Sequence, residues 1–156
     1  MKKKPVIITI VIVAVAAILI GGGGYLYPHL VERTISQVVD NDMTDIVKIS
    51  LTDRDVGDRV IEVTDKEDIE EIVGLVKDLK AKKEFRQKIP EGGGLWIEMI
   101  TSNEERISIG CWRMINGTMY KFNESEKEKR EEIWDYVVEK YDLRNRPEEM
   151  TEDVEE

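Results

Sequence analysis

The chain has 156 residues, 36% of them charged, and a formal charge of −10. The first 31 residues hold Lys2, Lys3 and Lys4 and no acid, which leaves 20 basic against 33 acidic residues, a formal charge of −13, on the remainder. The ~125 remaining residues suit one core rather than two, and their negative field excludes nucleic acid as a natural partner. It also repels anionic headgroups, which favours a domain standing clear of any bilayer. Cys111 is the single cysteine, so an internal disulfide and a cysteine-based zinc site are both excluded.

Residues 1–5 form a short basic head. Residues 6–27, VIITIVIVAVAAILIGGGGYLY, carry no charge. As a helix this stretch is about 33 Å long, against roughly 30 Å of hydrocarbon, and an isolated span has to be helical. The lysines precede it and acids follow it, so the expected orientation is N-terminus cytoplasmic and C-terminal domain outside the plasma membrane. A cleaved signal peptide competes with this retained anchor: Val6–Ile20 has the length of an h-region, and Gly22 and Gly24 suit a peptidase. Both readings export the domain. The expected partner of residues 6–27 is the lipid bilayer.

Residues 28–44 read as a stalk, with one short amphipathic helix over 29–39. An α+β domain is expected over 45–143. Val47, Ile49 and Leu51, then Ile61 and Val63, alternate as two strands joined by a polar turn around Gly57. Thr64 and Glu67 suit a capping box opening a helix to about Lys83, with Ile69, Ile72, Val73, Val76 and Leu79 on one stripe. Pro90 and Gly92–Gly94 end that segment.

Residues 95–122 read as a three-stranded meander. Asn116-Gly117 is a strong hairpin signal that sets Met114 opposite Met119, Trp112 opposite Lys121 and Cys111 opposite Phe122. A loop over Ser102–Glu104 sets Trp96 opposite Gly110, where a ring covers a missing side chain. Ser125 and Glu128 suit a second capping box, before a helix bearing Ile133, Trp134, Val137, Val138 and Tyr141. Residues 144–156 form an acidic tail. The predicted order after the anchor is ββ-α-βββ-α, an antiparallel sheet of about five strands with both helices on one face.

No motif commits the chain to chemistry. Asp53, Asp55 and Asp58 suggest a calcium loop, but Gly57, Asp58 and Thr64 stand where an EF-hand needs a ligand oxygen, a glycine and a bidentate acid, so a solvated turn is the reading. Gly92–Gly94 precedes a strand rather than a helix, unlike a phosphate cradle. His29, the single histidine, lies beside the expected membrane, which excludes a histidine-dependent triad in the domain. Cys111 falls on an apolar strand face as a small hydrophobe. The acids Glu70, Glu71, Glu131 and Glu132 lie on exposed helix faces. No catalytic, metal-binding or cofactor-binding residue is assigned, and no small-molecule cofactor is expected. One feature does point to function: with the helices on the Cys111 face, Trp96, Trp112, Met114, Met119 and Lys121 gather on the other as a candidate contact surface.

The basic start, the apolar anchor, ISLTDRDVGDRVIEVTDKEDIEEIVGLVKDL, the proline–glycine break, LWIEMI and the closing amphipathic helix together resemble small membrane-anchored extracytoplasmic proteins of unknown function from Gram-positive bacteria. The resemblance covers Asp45 to Tyr141 and implies an α+β domain with no assigned activity or site residues. The expected function is a membrane-tethered, non-enzymatic interaction module with a protein or peptide partner, an envelope-associated inhibitor or immunity protein being one form. The alternatives are a carboxylate-dependent cell-envelope enzyme, and a structural subunit whose helix pairs in the bilayer through Gly21–Gly24.

Overall fold

Period-two alternation draws the chain into one antiparallel sheet, and that sheet has eight strands where alternation alone suggests about five. The computed structural model describes residues 4–55, 59–88 and 94–143, with the side chains of 4–11, 14 and 19 outside the description. In chain order the elements are α1 (Lys4–Leu30), β1 (Arg33–Thr34), α2 (Ile35–Val39), β2 (Ile46–Asp53), β3 (Val60–Val63), α3 (Lys66–Val76), β4 (Lys80–Lys83), β5 (Leu95–Thr101), β6 (Arg106–Gly110), β7 (Met114–Ile115), β8 (Thr118–Phe122) and α4 (Lys127–Tyr141). In space the strands run β1-β4-β8-β7-β6-β5-β2-β3. The class is α+β, as expected.

Both amphipathic helices cover one face of this sheet. Ile69, Ile72, Val73 and Val76 of α3 and Ile133 and Val137 of α4 share a core with Ile49, Leu51, Ile97, Met99, Ile107 and Ile109. The Ser102–Glu104 loop gives the expected register, with Trp96 opposite Gly110, Ile97 opposite Ile109 and Met99 opposite Ile107.

Two of the extra strands come from segments that read as helix, and the third, β7, arises where a turn at Cys111-Trp112 splits one predicted strand. α3 stops at Val76, not at Lys83, and residues 80–83 become β4 between β1 and β8. Lys-Ala-Lys-Lys has good helix propensity. Placing Ala81 fully buried opposite Phe122 outweighs it, because propensity is worth only tenths of a kcal/mol per residue. In the same way the helix expected over 29–39 splits. Thr34 is extended, pairs with Lys80 and caps the short α2 through a box with Gln37. Ile35 is fully buried and Met43 nearly so, making this part of the stalk segment core.

Three local details also differ. Asp65, not Thr64, caps α3: its carboxylate accepts the Glu67 and Asp68 N–H groups at 3.0 and 3.2 Å. Asn123 caps a single 3₁₀ turn before α4, and the Ser125–Glu128 box does not form. A bulge between Ile46 and Lys48 turns Val47 outward and Ile46 inward.

Among the described residues no helix is long and apolar enough to cross a membrane. The expected anchor, 6–27, falls partly on side chains outside the description. The 144–156 tail and the residues Gly57, Asp58, Pro90, Gly92 and Gly93 lie outside the described residues altogether.

Candidate functional site

A tight turn between β6 and β7 decides where the aromatic residues go. The Arg113 N–H donates to the Gly110 carbonyl at 3.0 Å, and both residues between them are left-handed, Cys111 at φ 49° and Trp112 at φ 52°. A left-handed non-glycine residue costs roughly 1 kcal/mol or more, so this turn holds its shape against local preference. The Asn116-Gly117 hairpin follows two residues later and keeps Met114 opposite Met119, as predicted. The chain between the turns is too short to extend that pairing. Phe122 therefore pairs with Ala81 and Lys121 with Lys82, instead of with Cys111 and Trp112.

The five residues expected on one patch separate as a result. Trp112 swings to the helix side and meets Phe122 edge to face, with ring centroids 6.5 Å apart. Trp96 stays on the outer face, half-buried under the Arg54 guanidinium, which lies 4.0 Å from its ring centroid. Met114 and Met119 are both buried. The Met119 backbone bonds to the Gln87 side chain and the Glu84 N–H, which brings the chain after β4 alongside it. Lys121 is exposed beside Lys82.

Trp112 lines an open cleft of about 550 Å³ between the turn and α4, together with Asp55, Cys111, Glu124, Lys127, Arg130, Glu131 and Trp134. Two indoles and two cations thus share one recess with three acids. Glu131 is paired with Lys127 at 3.6 Å. Burial pushes the Cys111 thiol up, with smaller opposing effects from the Trp96 indole and the Arg54 charge. A thiol so shifted stays protonated at neutral pH and makes a poor nucleophile. Asp53 is buried and accepts the Asp55 N–H at 3.0 Å, which gives it a turn-forming role. Among the described residues no group of three His, Cys, Asp or Glu side chains is placed to hold a metal ion.

A second polar cluster joins the two long helices. Lys140 Nζ lies 2.9 Å from Asp68 Oδ1, 3.1 Å from Glu71 Oε2 and 2.6 Å from the Tyr136 hydroxyl. Tyr141 donates to Asp68 at 3.0 Å, and Tyr136 donates to Glu71. Bonds from Lys140 and Tyr141 hold the Asp68 carboxyl below its ordinary range, and bonds from Tyr136 and Lys140 do the same for Glu71. The same contacts raise Lys140. Each shift reinforces the charge already present at neutral pH, so the cluster fastens α3 to α4 and is not poised for proton transfer. On the sequence alone Glu71 reads as a solvated helix face; its partners lie 65 and more residues away.

His29 also gains a role that no local signal carries. It is buried, its Nδ1 lies 3.0 Å from the Lys83 carbonyl, and its ring stacks on Phe85 at 4.1 Å with Tyr25 tilted at 5.5 Å. These contacts fix the end of α1 to the end of β4. No protein-family model, curated protein or solved structure matches the chain.

Proposed function

We propose that this chain is a membrane-tethered interaction module, anchored through residues 6–27 with its N-terminus in the cytoplasm and its domain outside the plasma membrane. One observation carries the reading. On α1 the side chains of Ile12, Val13, Ile18 and Ile20 are each more than 60% exposed, although the helix is apolar on every side. A helix apolar all round belongs in an apolar medium, and among the described residues these four side chains are left uncovered. Lys2–Lys4 then orient the span. A reporter that is active only outside the cytoplasm, fused after Glu156, is expected to be active; silence there overturns the topology.

The Trp112 cleft is the contact surface this reading favours for a protein or peptide partner. Tryptophan and arginine dominate contact centres, and Trp112, Trp134 and Arg130 line one recess. An envelope-associated inhibitor or immunity protein is one form of such a module. A carboxylate-dependent envelope enzyme is the second reading, favoured by Asp55, Glu124 and Glu131 in the same cleft. Asp55→Asn with Glu131→Gln separates them: an enzyme loses turnover of envelope polymers and keeps binding them, whereas a binding module has no turnover to lose.

A further inference from the structure

The chain is strongly acidic, yet residues 77–88 carry Lys77, Lys80, Lys82, Lys83, Arg86 and Lys88 against Asp78 and Glu84. The fold brings this segment to the end of α1, because the His29 ring bonds to the Lys83 carbonyl and stacks on Phe85. Lys82 stands directly opposite Lys121 on the neighbouring strand. Like charges so placed repel, and an anion between them would relieve that repulsion.

Among the described residues Lys80, Lys82, Lys83, Arg86, Lys88 and Lys121 form no ion pair, whereas Lys48, Lys66, Arg106, Lys127, Lys129 and Lys140 all do. Glu84, the acid within the segment, turns to Arg113 at 3.7 Å. Phe85, Tyr25 and Tyr27 are more than half exposed at the same end, as an interfacial aromatic belt would be. Charges are screened beyond about 8 Å at physiological salt, so the sign of the facing surface decides the encounter and the net charge does not.

We infer that the domain rests on its own membrane through this basic collar, with Lys82, Lys83, Arg86 and Lys121 binding anionic lipid headgroups. The inference rests on the anchored reading above, and it replaces the expectation of a domain repelled from the bilayer. Lipid is the partner because the collar begins one hydrogen bond from the last turn of the apolar helix. The bilayer is therefore the surface it meets first.

The test uses the full chain reconstituted into vesicles of phosphatidylcholine, with or without phosphatidylglycerol, each carrying a trace of dansyl-labelled lipid. Energy transfer from Trp96, Trp112 and Trp134 reports how close the domain lies, and flotation reports insertion. Transfer is expected to be stronger in the anionic vesicles, with the difference lost at high salt and in K82Q/K83Q/R86Q/K121Q while flotation persists. Equal transfer in both vesicle types, with normal flotation, overturns the collar alone, and this arm needs no substitution. A difference that survives the four substitutions overturns it too. Failure to float with either vesicle overturns the anchor and the collar together.

Discussion

The Trp96 indole lies flat over Gly110, so that a Cβ added to this glycine would stand 2.8 Å from the ring. The two residues are cross-strand partners on β5 and β6, and the missing side chain is what lets the ring settle there. Arg54 closes over the other side of the indole. Gly110→Ala is therefore expected to destabilise the protein by about 1–3 kcal/mol, because the ring has to move out of its place between them. Chemical denaturation of the two proteins checks this. Equal midpoints would mean that the indole moves away freely.

Ile35 sits in the part of the chain that reads as stalk, yet it is fully buried in the core. Ile35→Ala is expected to lower stability by about 2–5 kcal/mol, the range for a large-to-small change at a buried site. A fragment of residues 43–143 lacks β1, α2 and this side chain, and should unfold at lower denaturant than one of residues 31–143. Identical unfolding curves would show that the segment adds nothing to the fold.

The Lys140 cluster predicts a pH dependence. Asp68 and Glu71 are held below their ordinary values of 3.8 and 4.5, so they contribute stability above those values and lose it as pH falls through the lowered ones. Lys140 is raised above its ordinary value of 10.5, so its own share is fully present below pH 10.5. The clamp between α3 and α4 thus opens on the acid side. Stability measured from pH 6 down to pH 2 should fall less steeply in Lys140→Met than in the parent chain. Parallel curves would remove the clamp from the account.

The left-handed turn at Cys111-Trp112 makes opposite predictions for its two residues. Asn tolerates this conformation better than Cys, so Cys111→Asn is expected to be neutral or to gain up to about 1 kcal/mol. Trp112 packs on Phe122, and Trp112→Ala is expected to lose about 1–3 kcal/mol. Thermal unfolding of both variants reads the two effects. A large loss in Cys111→Asn would show that the thiol is a packing element.

Burial of the Cys111 thiol carries a further expectation. It should react with a disulfide reagent more slowly than a free cysteine at neutral pH, and speed up only as the pH is raised well beyond that. Rapid modification at neutral pH would reopen a reactive role for it.

Local pattern alone determined the class, the two amphipathic helices and the hairpin geometry. Asn116-Gly117 and the Ser102–Glu104 loop set registers that depend on a few adjacent residues, and Trp96 falls opposite Gly110 as those spacings require. Tertiary structure decided the rest. Whether Lys80–Lys83 is helix or strand depends on the vacancy between β1 and β8, which no local window contains. Trp112 leaves the outer face because two consecutive left-handed residues reverse the chain, and Cys-Trp carries no turn signal. Lys82 and Lys121 come face to face on β4 and β8, and the His29 contact brings β4 to the end of α1, although the three segments are dispersed along an acidic chain. Charge along a sequence averages over such dispersion, whereas binding depends on which charges share a surface.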